Sequence, residues 1–164
     1  RPPPHPFPPS EGWRFSAHRQ FKAVYPSNHR SIYLMVQRLH PHPFLALFNG
    51  PTTTASVATR DTSTLPLQAL FLANSEFVHE QAEHVALRLV EQPTAEEARI
   101  DDLYWRICSR PASAAESANG QRYLARYREL LQGEQGISPE QADADAWASL
   151  VRTLFASNEF VYID

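Results

Sequence analysis

Cysteine, methionine, lysine and glycine are all scarce in this chain of 164 residues. Its one cysteine, Cys108, excludes an internal disulfide, and with it any haem-attachment or zinc motif built on two thiolates. Only five glycines are present, and none stands in a phosphate-cradling pattern. Long apolar runs are missing too: Ala69-Leu70-Phe71-Leu72-Ala73 falls far short of a membrane span. No nucleophile-elbow pattern occurs, and serines, histidines and aspartates without shared geometry do not make a triad. A hydrophobic content of 43% with 20% charged residues excludes a disordered chain and suffices for one domain with a real core.

Charge is small in sum and uneven in placement. The net value is −3, yet residues 1–75 carry seven Lys/Arg against two Asp/Glu, and residues 76–164 carry eight against sixteen. Two readings follow: a basic first part docks on acidic helices, or it presents a face to an anion or polymer. Aromatics between basic residues in Trp13 to Tyr25 suit single-stranded nucleic acid. The negative total and the lack of any binding-module signature argue against a nucleic-acid partner.

Proline supplies the first structural feature that is present. Six of residues 1–9 are proline, which gives an extended arm with Phe7 as an anchor. Trp13, Phe15 and Ala17 alternate with polar residues as in a short strand. Tyr25-Pro26-Ser27-Asn28 is a turn. The short apolar stretch over 31–39 fits a helix or a strand, and Ile32, Met35, Val36 and Leu39, which follow helical spacing, favour the helix. Phe44 to Phe48 gives a turn or two of helix, stopped by Asn49-Gly50-Pro51. Residues 52–64 hold eight Ser/Thr and form a polar loop.

From Leu65 the pattern is helical throughout. A helix opening near Pro66 breaks at Asn74-Ser75. The next presents Val78, Ala82, Val85 and Leu89 inward and Glu76, Glu80, Glu83, Arg88 and Glu91 to water. Thr94 with Glu97 predicts a capping box before the Ile100, Leu103, Tyr104 and Ile107 face, and Cys108 reads as a buried small apolar residue beside Tyr104. Ser113 with Glu116 predicts a second box, before Leu124, Tyr127 and Leu131. Ser138-Pro139-Glu140-Gln141 predicts a third, before Trp147, Leu150, Val151, Leu154 and Phe155. The fold expected is mainly α: a bundle of four to five helices over 65–164. An irregular, proline-rich segment over 1–64, with a possible short β element, packs on it as one domain overall. A weak internal echo relates Leu72–Val78 to Phe155–Val161.

Candidate chemistry is sparse. His40-x-His42 shares a face only on a strand, and no third ligand lies near it in sequence. Glu80 with His84 and His79 with Glu83 are i, i+4 surface pairs. The strongest constellation is Arg30, Tyr33, Arg60, Thr64 and Gln68. Arginines beside a threonine-capped helix start suit a carboxylate, sulfate or phosphate. The alternative is that Arg30 and Arg60 tie the loop to helix carbonyls or to acids of the bundle.

Several strings occur in a telling order. They are His5-Pro6-Phe7-Pro8-Pro9, Trp13, Phe21-Lys22-Ala23-Val24-Tyr25, Arg30-Ser31-Ile32-Tyr33-Leu34, His42-Pro43-Phe44-Leu45-Ala46-Leu47-Phe48, Ser63-Thr64-Leu65-Pro66-Leu67-Gln68-Ala69-Leu70 and Ser157-Asn158-Glu159-Phe160-Val161-Tyr162-Ile163-Asp164. Together the set resembles the C-terminal part of the domain-of-unknown-function family 1553, also called a planctomycete-specific domain. His29 departs from the family's pattern of two arginines before Ser31-Ile32-Tyr33. The resemblance implies a piece of a large exported bacterial protein, periplasmic or at the cell surface, with a cytochrome c-like domain upstream, and Arg1 in place of Met fits a piece. Haem would belong to that upstream domain, with no cofactor in this segment. The function implied is an accessory or interaction domain whose partners are the upstream domains. The alternative is part of a redox- or polysaccharide-related enzyme whose active groups lie mostly upstream, with an anion-binding site here.

Overall fold

A computed structural model describes residues 30–34, 41–50, 58, 66–132 and 136–161. The chain divides into two compact units, residues 1–68 and 69–164. Among the described residues the regular elements are all helical.

In the first unit a single 3₁₀ turn, Ser31–Tyr33, precedes helix α1, Pro43–Leu47. The helix expected over 31–39 does not form at its start. Leu34 is already extended (φ −69°, ψ 141°), and Ile32, the first member of the proposed apolar stripe, is 82% exposed. With Ile32 in water, the helical register buries nothing at its first position, so periodicity alone does not hold a helix there. Met35, Val36 and Leu39 lie outside the described residues, as do the proline arm, the possible strand over 13–25 and residues 52–64 apart from Ala58.

Helix α1 starts with Pro43 at its first position, where a missing N–H costs nothing. It stops at Asn49, which adopts left-handed φ of 52°. The chain then folds back so tightly that Gly50 N donates to Leu45 O at 2.5 Å. A β-carbon on Gly50 would lie 2.7 Å from that same oxygen, so only glycine fits. The Phe44 and Phe48 rings meet at 5.0 Å on one side of α1. Helix α2, Pro66–Asn74, begins in this unit. Its Gln68 is buried, and Nε2 donates to Leu47 O at 2.9 Å, closing the end of α1.

The second unit contains the rest of α2, then α3 (Glu76–Val90), α4 (Glu96–Cys108), α5 (Ala114–Gln132), α6 (Pro139–Phe155) and the short α7 (Asn158–Val161). Four long helices and one short one follow α2, a mainly α-helical bundle as expected. The inward stripes fall where helical spacing puts them. Val78, Ala82 and Leu89 are buried on α3, Ile100 and Leu103 on α4, Leu124 on α5, and Trp147, Leu150, Val151 and Leu154 on α6. Val85 only flanks the core, and Ala86 takes its place inside. Tyr104, Ile107, Tyr127 and Phe155 are partly buried against the core.

The tightest pairing is α3 against α6. Both helices bring alanines to the interior, Ala82 and Ala86 from one and Ala142, Ala146 and Ala148 from the other. Small side chains let the two backbones approach, and the dispersion contacts accumulate along the length. Trp147, fully buried, is the largest side chain of this interior. Burying each of Leu89, Ile100, Leu103 and Leu124 contributes about 1.5–3 kcal/mol. The buried hydroxyl of Ser149 is satisfied by Tyr123 Oη at 2.7 Å.

The helix starts show one correction. Ser113 and Glu116 form the full reciprocal box: Glu116 N donates to Ser113 Oγ at 3.3 Å, and Glu116 Oε2 accepts from Ser113 N at 2.8 Å. Ser138 caps α6 by accepting from Gln141 N at 3.2 Å, with Pro139 at the first helical position. The Thr94–Glu97 box does not form. Helix α4 starts one residue later, with Ala95 at the cap and no side-chain capping bond. Thr94 is held instead in a turn by its own N–H, which donates to Gln92 O at 2.9 Å. At its far end α4 closes on Ser109 in the left-handed region, φ 58°, just before Arg110-Pro111.

Candidate functional site

The residues nominated from sequence are only partly placed. Arg30 and Tyr33 sit on the 3₁₀ turn, where Tyr33 N donates to Arg30 O at 2.9 Å and the tyrosine is half exposed. Gln68 is buried on α2 with its amide on the Leu47 carbonyl. Arg60 and Thr64 lie outside the described residues, as does His40 of the His40-x-His42 pair. His79 Nε2 donates to Ala73 O at 2.8 Å and so closes the end of α2. Among the described residues no three His, Cys, Asp or Glu side chains gather in a metal-holding group.

The most elaborate polar arrangement in the second unit centres on Arg110, in the loop after α4. Its Nη1 and Nη2 donate to the two carboxylate oxygens of Glu116 at 2.9 and 2.7 Å. Its Nε and Nη2 donate to those of Glu159 at 2.6 and 2.8 Å. The planar fork thus holds one carboxylate on each of two edges, a geometry a lysine could not reproduce. The guanidinium also lies 5.4 Å from the Tyr104 ring centre. The Arg110 fork and two hydrogen bonds from Ser113 hold the Glu116 carboxyl down at about 2. Arg110 likewise holds Glu159 below the ordinary carboxylate range. Burial, then Glu116, pushes the Tyr104 phenol up; burial, then Glu159, pushes the Cys108 thiol up.

A second arginine joins three helices. Arg128 on α5 donates from Nη1 to Glu96 Oε2 at 2.6 Å and from Nε to Asp143 Oδ1 at 2.8 Å. It links the first turn of α4 to the first turns of α6, where carboxylates also favour the helix dipoles. A third group surrounds Asp102. Its carboxylate accepts from Arg106 Nε at 2.8 Å and Gln92 Nε2 at 3.0 Å, and Arg99 Nη2 donates to Gln92 O at 2.6 Å.

Between the starts of α4 and α5 runs an open groove of about 500 Å³. Ala95, Ala98, Ala112 and Ala114 form its walls, and Glu97, Asp101, Ser113 and Ser117 give it polarity. Asp101 Oδ1 accepts from Ala112 N at 2.9 Å and fixes the loop at its edge. Sequence reasoning missed both arginine nodes. Arg110 and Glu159 are 49 positions apart, and Arg128 and Glu96 are 32 apart, so neither pair follows a helical spacing. The local signal that did exist was the Ser113–Glu116 box, half of the Arg110 node.

Comparison with known proteins places the chain. No curated protein and no solved structure matches it. The family model PSD1, described as a protein of unknown function (DUF1553), matches residues 2–124. That match ends inside α5, so the buried residues of α6 that complete the interior lie beyond it. It nonetheless covers well over half of the chain, from the proline arm through α4, and the chain therefore belongs to the PSD1 family of proteins of unknown function (DUF1553).

Proposed function

We propose that this segment is an accessory or interaction domain of an exported multidomain bacterial protein, working beside cytochrome c-like domains of the same protein. The observation that supports this reading most is the use made of charge. Arg110 and Arg128 each bind two carboxylates from other parts of the helical unit, and Asp102 gathers Arg106 and Gln92. Guanidinium and carboxylate groups spent on one another fasten helices and serve a scaffold. The test is to express the full-length protein and the present chain side by side, and to measure haem by absorbance and metals by elemental analysis. Haem carried by the full-length protein and absent from the present chain supports the reading. A stoichiometric metal or haem in the present chain alone contradicts it.

Arg30 and Tyr33 favour a second reading, since both are exposed on the same turn. An anion site formed by Arg30, Tyr33, Arg60, Thr64 and Gln68 would make the segment contribute to an upstream redox- or polysaccharide-related enzyme. Calorimetric titration with sulfate and phosphate distinguishes the two. Saturable binding lost in Arg30→Ala supports the anion site, and binding unchanged by that substitution removes it.

A further inference from the structure

The string Ser157-Asn158-Glu159-Phe160-Val161 near the end of the chain has a counterpart in Asn74-Ser75-Glu76-Phe77-Val78, and the two copies are used differently. In each, an apolar helix ends and a new one starts just before or at the glutamate. In the first copy Glu76 and Phe77 open a helix of 15 residues, and both side chains are exposed. In the second, α7 has four described residues, and its glutamate and phenylalanine are exposed as well, Phe160 at 42% against 47% for Phe77, but each meets a partner. Glu159 lies in the Arg110 fork, and the Phe160 ring meets the Phe155 ring at 4.9 Å. Helix α7 lies against both α4 and α6.

A four-residue helix does not hold itself. Its position depends on what it is tied to. Its tie to the α4–α5 loop is the Arg110–Glu159 pair, with the arginine 37% and the glutamate 45% exposed. Pairs at such exposure are weak and screened by salt. On the α4 side of the tie are Tyr104 and the half-buried Cys108, two residues before Arg110. On the α6 side is Phe155.

We propose that α7 is a releasable strap, latched by Arg110, whose lifting uncovers a face made of Tyr104, Cys108 and Phe155. Local opening at the low-stability edge of the bundle leaves the rest of the interior intact. Glu116 keeps the other edge of the fork and the start of α5 in place through its bonds to Ser113, so the latch opens on the Glu159 side. The same geometry gives salt and the Glu159 charge control over the strap.

Cys108, the sole cysteine, is a built-in reporter. The experiment follows alkylation of the full chain by iodoacetamide from pH 7 up to pH 11, high enough to reach the plateau of a thiol pushed above its ordinary range, read by mass spectrometry, in the wild type, Glu159→Gln, Phe160→Ala and Arg110→Lys. The high-pH plateau reports shielding, and the midpoint reports the charge beside the thiol. Phe160→Ala, which removes the ring contact with Phe155, raises the plateau about five-fold with the midpoint unmoved. Glu159→Gln raises the plateau and also moves the midpoint down, because a neighbouring negative charge is gone. Arg110→Lys, which keeps the charge and loses the fork, also raises the plateau. High salt speeds the wild type and leaves Glu159→Gln unchanged. Equal plateaus in all four proteins overturn the strap, and so do rates that track each variant's urea midpoint, since they report whole-domain unfolding.

Discussion

Gly120 on α5 lies so close to Ile100 on α4 that a β-carbon there would stand 3.1 Å from Ile100 Cδ1. Glycine inside a helix costs about 1 kcal/mol relative to alanine. Here it lets two helices touch over a fully buried isoleucine. Gly120→Ala should therefore leave stability within about 1 kcal/mol of the wild type, as propensity gained and crowding incurred offset. In an Ile100→Val background, which removes the obstructing methyl, the same change should stabilise by about 1 kcal/mol. Urea unfolding of the four proteins measures this coupling, and simple additivity would refute the contact.

Trp147 fills the centre of the second unit, and its Nε1 has no acceptor among the described residues. Trp147→Ala should cost about 3–5 kcal/mol through the cavity it leaves. Trp147→Phe should cost much less, because the ring is largely kept and a buried donor without a partner is removed. The urea midpoints of the two variants give the comparison.

Arg128 is three-quarters buried between Glu96 and Asp143. Arg128→Ala leaves two carboxylates facing each other and should destabilise by about 2 kcal/mol. Arg128→Lys should recover only part of that, having one point charge where the fork made two directed contacts. Thermal unfolding at neutral pH checks the ranking Arg, Lys, Ala.

The apolar stripes were legible because burial repeats at helical spacing, and Leu89, Leu103, Leu124 and Trp147 all lie inside where that spacing points. The Ser113 box was legible because all its partners lie within four residues. The Thr94 box has the same hydroxyl-to-glutamate spacing and fails, since the backbone turn at Gln92–Thr94 shifts the cap to Ala95. Local chemistry proposes a cap, and the chain entering it decides. Residues 31–39 show the same limit: helical spacing is there, yet Ile32 meets solvent. Of the proposed anion site, Gln68 illustrates why a side chain's role is hard to read from type alone, since its amide closes α1 by a bond to a residue 21 positions away. The Arg110–Glu159 and Arg128–Glu96 links join residues too distant in sequence for any periodicity to register.

Glu116 carries the pH dependence. Its folded value of about 2 lies below the ordinary 4.5, so the stability it contributes is present above pH 4.5 and is lost as pH falls toward 2. Glu159, also held low, adds to the same window. The wild type should lose thermal stability across that range, and Glu116→Gln should show a shallower slope with a lower value at neutral pH. Melting curves at half-unit pH steps decide it, and parallel slopes would remove Arg110 from the account.

Hydrogen exchange of the full chain, read residue by residue, tests most directly the claim that α3 and α6 close one interior around Trp147. The slowest amides should be those of Ala82 to Leu89 and Ala146 to Val151, with α7 exchanging orders of magnitude faster. Amides of α6 exchanging as fast as those of α7 would contradict it.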